Sequence, residues 1–345
     1  MIRKWTDDDV RFMRRAIELS HNGFPAPNPR VGCVIVNGGD IVGEGWHHAA
    51  GFPHAEAMAL QSTSNRNGAH VYVTLEPCNH QGRTGPCSEA LILNKVARVI
   101  YACADPNPKA QGGAERLRES GIRTEQGLLE EEASVVNHQF LFAMRRKRPL
   151  VVVKAACSLD GRIALPTGES KWITGETARK ESHRLRVESG AVLVGRRTVE
   201  VDDPDLTARI VGVTNQPLRV ILDPQKKLSG RERVFNESAE TLWVNGAIDL
   251  NQLLANLFGR GANGLLIEGG ATTIAHFVRQ GLVDRYELFL APKLLGDGPS
   301  WLGGLGLPGL ASAPSLQILQ SQMLGDDLWI TAAPQLGHSG IAEQV

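Results

Sequence analysis

Apolar positions along the chain follow two periods, one near 3.6 residues and one near 2, and the two alternate in both halves. Val10, Met13, Ala16 and Ile17 recur at helical spacing with Ser20 in phase. Thr6 with Asp9 three residues on makes a capping-box-like start, so a helix opens the chain. Residues 23–29, rich in Pro, Asn and Gly, must be loop. Residues 32–36 and 41–46 read as a hairpin around Asn37-Gly38-Gly39-Asp40. Helices are expected over 54–61, 88–93 and 113–120, with a long one over 129–144. Strands are expected over 71–75 and 98–104 and near Ile122. Helices alternating with short buried strands indicate a layered α/β domain.

Arg145-Arg146-Lys147-Arg148-Pro149 marks the boundary of this domain, residues 1–146. Four bases running into a proline also read as solvated cations at a helix C-terminus. A second α/β domain, 149–335, begins with a strongly apolar strand at 150–156. Further strands are expected at 191–194, 218–222, 241–244, 264–267, 285–290, 316–321 and 327–331, with helices at 176–188, 249–258 and 271–280. The last three strands have no helix between them, which predicts a mixed sheet. Residues 337–345 read as a frayed end.

Composition narrows the function. The chain has 345 residues, is 42% apolar and carries no formal net charge. Residues 1–148 hold 18 Lys+Arg against 16 Asp+Glu, and the remainder hold 19 against 21, so neither half has the basic footprint of a polynucleotide binder. No run approaches the roughly 18–20 apolar residues of a membrane span. Residues 1–9 carry Asp7, Asp8 and Asp9 and no apolar core, so no secretory signal is expected. The five cysteines, an odd number, fit a reducing, cytoplasmic setting, where clustered thiols bind metal or do chemistry.

His54-Ala55-Glu56, then Pro77-Cys78, then Cys87 form the sharpest constellation. One His and two Cys give zinc three ligands and leave a tetrahedral position for water. Two thiolates bring the centre near neutrality, and its water can ionise near neutral pH. Glu56, two residues past His54, lies beside the metal without ligating it and can move a proton from water to a leaving amine. H-x-E followed by P-C and a further Cys is the signature of zinc deaminases, although eight residues separate the cysteines here where two are usual. Cys33, Cys103 and Cys157 lie in apolar strands and read as packing.

In the second half, Gly304, Gly306 and Gly309 fit G-x-G-x-x-G, but Pro308 interrupts the motif and no βαβ unit surrounds it, so it is a glycine-rich loop. Two better phosphate cradles exist. Leu265-Leu266-Ile267-Glu268-Gly269-Gly270-Ala271-Thr272-Thr273 takes a buried strand through a Gly pair into a helix, and Gly195-Arg196-Arg197-Thr198 does the same with cations added. Two such turns in one domain suggest a dinucleotide or doubly phosphorylated ligand.

The run Pro77-Cys78-Asn79-His80-Gln81-Gly82-Arg83-Thr84-Gly85-Pro86-Cys87 resembles the long zinc loop of the bifunctional riboflavin-biosynthesis deaminase/reductases. So do Pro27-Asn28-Pro29-Arg30-Val31-Gly32-Cys33-Val34-Ile35-Val36 and Asp105-Pro106-Asn107-Pro108. Lys154-Ala155-Ala156-Cys157-Ser158-Leu159-Asp160-Gly161-Arg162-Ile163-Ala164, Ser170-Lys171-Trp172-Ile173-Thr174 and Asp202-Asp203-Pro204-Asp205-Leu206-Thr207 resemble that family's reductase half, so the likeness runs through essentially the whole chain.

The resemblance implies a cytidine-deaminase-like three-layer N-terminal domain and a dihydrofolate-reductase-like C-terminal domain. The first is expected to deaminate 2,5-diamino-6-ribosylamino-4(3H)-pyrimidinone 5′-phosphate. The second is expected to reduce the ribosyl group of the product to ribityl with NADPH. Carried over by position, His54, Cys78 and Cys87 hold zinc, Glu56 shuttles the proton, and Asn28, Arg83, Asp105 and Asn107 meet the pyrimidine substrate. Ser170, Arg186, Leu206, Arg209 and Glu268 hold the sugar phosphate. Ala156, Trp172, Thr198, Asp202 and the turn Gly270, Ala271, Thr272, Thr273, Ile274, Ala275 and His276 contact NADPH. Cys157 stands where a small Ala is frequent, and Pro224 replaces a residue able to offer a hydroxyl to cofactor. The family assembles, so a homodimer or tetramer is expected. No nucleic-acid or membrane partner is expected.

Two other readings share part of this pattern. A nucleic-acid deaminase would have the same His-x-Glu and Pro-Cys, but the long loop, the near-zero charge and the second domain argue against it. A structural zinc module would need a fourth ligand, for which His47, His48 and His80 are available.

Overall fold

The computed structural model describes residues 5–81 and 85–335. The chain divides into two compact units, Met1–Arg146 and Lys147–Val345. Arg83 and the tail 337–345 lie outside the described residues.

In the first unit the elements run α1 (Asp7–Ser20), β1 (Gly32–Asn37), β2 (Asp40–Trp46), α2 (Ala55–Gln61), β3 (His70–Leu75), α3 (Cys87–Leu93), β4 (Arg98–Cys103), α4 (Gly113–Glu119), β5 (Arg123–Gln126), α5 (Glu130–Val136) and α6 (His138–Arg146). The strands form one sheet in the order β2-β1-β3-β4-β5. β1 is antiparallel to β2 and β3, whereas β3, β4 and β5 are parallel.

Two-residue periodicity sorts the side chains between two cores. Val34 and Val36 pack with Phe12, Met13 and Phe140 of the helices on one face. Cys33 and Ile35 pack with Ala59, Leu91 and Leu117 of α2, α3 and α4 on the other. Helices on both faces of the sheet give three layers. Thr6 caps α1 as the sequence predicts: its hydroxyl accepts from the Asp9 N–H at 3.0 Å, and the Asp9 carboxylate accepts from the Thr6 N–H at 3.0 Å.

The long helix expected over 129–144 is two helices, α5 and α6, broken at Asn137. The buried Asn137 amide bonds both backbone groups of Arg30, accepting from its N–H and donating to its C=O, each at 2.8 Å. A side chain turned inward to satisfy a loop backbone 107 residues away leaves no signal in local periodicity.

The second unit runs β6 (Leu150–Ser158), α7 (Glu176–Ser189), β7 (Ala191–Gly195), α8 (Arg196–Asp202), β8 (Leu218–Leu222), β9 (Thr241–Val244), α9 (Leu250–Gly259), β10 (Gly264–Ile267), α10 (Ala271–Arg279), β11 (Arg285–Ala291), β12 (Leu316–Leu324) and β13 (Asp327–Pro334). Its eight strands lie in the order β12-β13-β11-β6-β10-β7-β8-β9. The six strands from β11 to β9 are parallel, and the β12–β13 hairpin adds an antiparallel edge. The mixed sheet read from the sequence is therefore present. Val151, Val153, Leu193, Val220, Leu265 and Ile267 pack with Leu254, Leu257 and Phe277 of α9 and α10. The parallel strands all point their carboxyl ends the same way, and such ends are where open α/β sheets bind ligands.

Candidate functional site

In the first unit the site is built on two helix starts and two strand ends. His54 is the N-cap of α2, Glu56 lies in its first turn, and Cys87 is the first residue of α3. Cys78 follows the end of β3, and Asp105 follows the end of β4. α2 can approach the sheet because Gly45 has no side chain: a Cβ there would lie 2.3 Å from the Ala55 carbonyl oxygen and 2.5 Å from the Ala59 nitrogen. Gly45→Ala is expected to push α2 outward and to cost about 1–3 kcal/mol by urea unfolding. Zinc affinity should fall with it, because His54 and Glu56 ride on that helix. A variant with wild-type zinc affinity would mean that α2 does not set the site.

The His54 Nδ1 lies 3.4 Å from Cys78 Sγ and 3.3 Å from Cys87 Sγ, and the three donor atoms lie within 4.8 Å of one another. Zinc–sulfur bonds near 2.3 Å and zinc–nitrogen bonds near 2.0–2.1 Å at a tetrahedral angle put N and S about 3.5 Å apart, so the spacing fits the metal. The charges fit it too. Cys78 is drawn down to about 4 by the hydrogen bond it accepts from Cys87, against burial and with help from His54. Cys87 is driven up by that same bond and by burial. A dication in their midst favours thiolate on both sulfurs.

Glu56 is 3% exposed, and burial, then the Cys78 charge, lift its pKa to about 7. Its carboxyl also meets Cys87. A buried carboxyl that titrates near neutrality beside three metal-type donors is suited to proton transfer.

Asn28, Asp105 and Asn107 border the same place. The Asn28 amide lies 3.0 Å from His47 Nε2, and the His47 ring packs edge-on to the His54 ring at 5.2 Å. His47 Nδ1 lies 3.1 Å from the Pro53 carbonyl oxygen, so both its ring nitrogens are engaged. Asp105 accepts the Asn107 N–H at 2.8 Å, and burial lifts its pKa to about 6, with the charges of Glu76 and Cys78 adding to the rise. His80, which sequence reasoning weighed only as a fourth ligand, has a buried Nδ1 with no hydrogen-bond partner among the described residues.

In the second unit the carboxyl ends of β6, β7 and β10 gather the polar side chains. Arg186 of α7 and Glu268, just past β10, form a bidentate pair at 2.6 and 2.8 Å. Both are nearly buried, at 13% and 10% side-chain exposure. Burial alone would raise Glu268, yet the charge and hydrogen bonds of Arg186, aided by Lys154, hold it at about 2. Arg186 also donates to the Thr207 carbonyl at 2.8 Å, and the Arg209 N–H donates to His183 Nδ1 at 3.3 Å. The loop bearing Leu206 and Arg209 is thus tied to α7. Leu206 itself is buried with φ +54°.

Lys154 was legible only as part of a motif, and the structure adds its setting. Burial lowers its pKa, the Glu268 charge opposes that fall, and its ammonium stands 5.8 Å over the Phe289 ring.

The two glycine turns meet. A Cβ on Gly269 would lie 2.7 Å from the Val194 Cα, and the Gly270 N–H donates to Thr198 Oγ1 at 3.3 Å. α8 and α10 therefore start side by side, with Ala271, Thr272 and Thr273 in the first turn of α10. Ile274 and Ala275 face the core and are buried, so their side chains pack, whereas His276 is exposed. Ala156 lies on β6 opposite Phe289. Trp172 is 63% exposed under the Arg179 guanidinium, 4.6 Å from its ring centre. Burial raises the pKa of Asp202, with Lys171 opposing. Ser170 precedes that lysine and is half-buried. Cys157 is fully buried, as packing predicts, and Pro224 is exposed.

Fold and site together define a zinc-deaminase-type domain followed by a reductase-type domain of dihydrofolate-reductase-like architecture. Residues 6–103 match the cytidine and deoxycytidylate deaminase zinc-binding region, and residues 149–330 match the RibD C-terminal domain. The chain is 41% identical to the riboflavin biosynthesis protein RibD of Aquifex aeolicus, over 93% of this chain and 97% of that one. With its Haemophilus influenzae counterpart the identity is 40% over 96% and 99%. The solved Acinetobacter baumannii RibD superposes with a TM-score of 0.89 at 37% identity, covering 95% of this chain and 99% of the other. A Thermotoga maritima diaminohydroxyphosphoribosylaminopyrimidine deaminase/5-amino-6-(5-phosphoribosylamino)uracil reductase does so at 0.85 and 35%, with the same coverage. The chain belongs to the RibD family, enzymes of riboflavin biosynthesis that join a deaminase to a reductase. No helix among the described residues is long and apolar enough to cross a membrane.

Proposed function

We propose that residues 1–146 hydrolyse the 2-amino group from 2,5-diamino-6-ribosylamino-4(3H)-pyrimidinone 5′-phosphate. Residues 149–335 then reduce the ribosyl group of 5-amino-6-(5-phosphoribosylamino)uracil to ribityl. The observation that carries this reading is the buried carboxyl of Glu56 set beside the three donors of His54, Cys78 and Cys87. Those three residues would hold zinc, which supplies Lewis acidity that activates water. Glu56 takes a proton from the attacking water and returns it to the departing amine, so ammonia leaves neutral and the carboxylate is regenerated. Asn28, Asp105 and Asn107 offer fixed donors and acceptors to the ring edge, and His80 brings a buried nitrogen that has no partner among the described residues. Arg83 is assigned to the substrate from its place in the sequence alone.

In the second unit the paired starts of α8 and α10, with Thr198 and Gly270, suit the phosphates of NADPH, and Ala156, Trp172 and Asp202 are assigned to the cofactor from their place in the sequence. NADPH supplies the hydride. Arg209 suits the substrate phosphate, because guanidinium forks match phosphate oxygens; Arg186, whose fork is taken up by Glu268 and the Thr207 carbonyl, is assigned to the substrate from its place in the sequence. Lys154 and Glu268, with Ser170 and Leu206, position the sugar. The enzyme works in the cytoplasm as a homo-oligomer of two or four copies. Mass spectrometry of the turnover mixture tests the order of steps. Without NADPH the substrate should exchange NH for O and stop, and added NADPH should then bring in two hydrogens. Reduction before any loss of nitrogen would reverse the assignment.

A further inference from the structure

Glu76 lies between β3 and the metal ligand Cys78, and neither the metal nor the proton-transfer chemistry uses it. Its backbone N–H donates to the Cys103 carbonyl at 2.9 Å, which extends the β3–β4 ladder by one rung. Its side chain does something different. Oε2 accepts the Asp105 N–H at 3.3 Å, and Oε1 accepts the N–H groups of Gly112 and Ala114 at 3.2 and 3.1 Å. One carboxylate thus holds both ends of the loop that carries Asp105 and Asn107.

α4 needs that carboxylate. Its N-cap is Gly112, at φ 96°, which has no side chain to accept the first free N–H groups of the helix. Glu76 supplies the missing acceptor from 36 residues upstream, and a negative charge there also suits the helix dipole. A second tie runs parallel to it, from the Asn79 N–H to the Ala110 carbonyl at 2.9 Å. The segment holding Cys78 and the loop holding Asp105 and Asn107 are therefore stitched along their length, with Glu76 making most of the stitches.

We propose that Glu76 is a positioning residue for the deamination: it sets the distance between the metal-ligating segment and the loop that grips the pyrimidine ring, and so governs substrate affinity. The inference rests on the assignment of Asp105 and Asn107 to substrate. Removing the carboxylate frees three backbone donors and lets the loop drift, and a displacement of about 1 Å in a positioning group can change rates on the order of 100-fold.

The test uses the full-length, zinc-loaded enzyme. Glu76→Ala should raise the KM for the diaminopyrimidine roughly 10- to 100-fold. The zinc content and the reduction of pre-deaminated substrate should stay at wild-type levels. Amide hydrogen exchange should quicken over residues 105–114 and not over α2. Glu76→Gln keeps one carbonyl acceptor, so it should recover part of the KM and part of the protection, which a general loss of folding would not do. A Glu76→Ala enzyme with unchanged KM and unchanged protection would overturn the proposal. So would zinc loss in parallel with KM in both variants, which would make Glu76 a support for the metal. Failure of the wild-type enzyme to release ammonia would instead strike the substrate assignment, while the exchange experiment would still report on the clamp.

Discussion

Glu56→Gln should lower the rate of ammonia release by on the order of 10²- to 10⁴-fold while leaving zinc content and the reduction step intact. The amide has the size of the carboxyl, so the buried space that Glu56 fills remains filled and the fold should be unaffected. What disappears is the proton acceptor. Burial and the Cys78 charge lift Glu56 to about 7, which makes it able to accept and release a proton near neutral pH; glutamine can do neither. Because His54, Cys78 and Cys87 supply the donors, metal analysis separates this loss from loss of zinc. The reduction step, measured with 5-amino-6-(5-phosphoribosylamino)uracil supplied directly, should run at the wild-type rate. An active Glu56→Gln enzyme would mean that another group moves the proton.

Glu268→Ala should be the most damaging change in the second unit, because it acts on stability and reduction together. It strands the nearly buried Arg186, and Lys154 loses the charge that offsets its burial. Breaking a buried pair by removing one partner costs about 3–5 kcal/mol. The pH dependence follows from the direction of the shift. Glu268 is held at about 2, below the roughly 4.3 of an unfolded glutamate, so its contribution is complete above about pH 4.3 and is lost as the pH falls toward 2. Urea unfolding of the variant and the wild type should therefore differ most at neutral pH and converge in acid. Replacing both partners, as Arg186→Met with Glu268→Leu, should recover part of the stability but none of the reduction, since an apolar pair can fill the space without supplying the polar groups of the site. A single variant as stable as wild type would show that the pair is not load-sharing with the core.

The two halves of the site were unequally legible in the sequence. Zinc ligands betray themselves because His-x-Glu at a helix start and Pro-Cys at a strand end are short, local patterns tied to one chemistry. Arg186 and Glu268 are 82 residues apart, and neither has a neighbour that hints at the other; only the likeness to a family assigned them, and only the fold pairs them. Glu76 carries no signal of its role in the sequence, because its partners are backbone N–H groups that every residue but proline carries. His80 lies in a long loop whose burial no periodicity reports. The same limit explains the helix break at Asn137: local spacing continues through it, and the cause is a long-range amide contact with Arg30. What the sequence conveys well is chemistry carried by rare residue types at fixed spacing; what it hides is polar contact between common types brought together by the sheet.

On this reading one chain performs two consecutive reactions, the first dependent on zinc. The most direct test is a single cuvette holding the diaminopyrimidine ribosyl phosphate and NADPH, with ammonia release and NADPH oxidation followed together, with and without a zinc chelator. Both signals should appear, with NADPH loss lagging ammonia. The chelator should stop both, and 5-amino-6-(5-phosphoribosylamino)uracil added to the chelated enzyme should restore NADPH oxidation alone. NADPH consumption with the unmodified diaminopyrimidine as acceptor in the presence of chelator, or ammonia release that chelation leaves untouched, would contradict this reading.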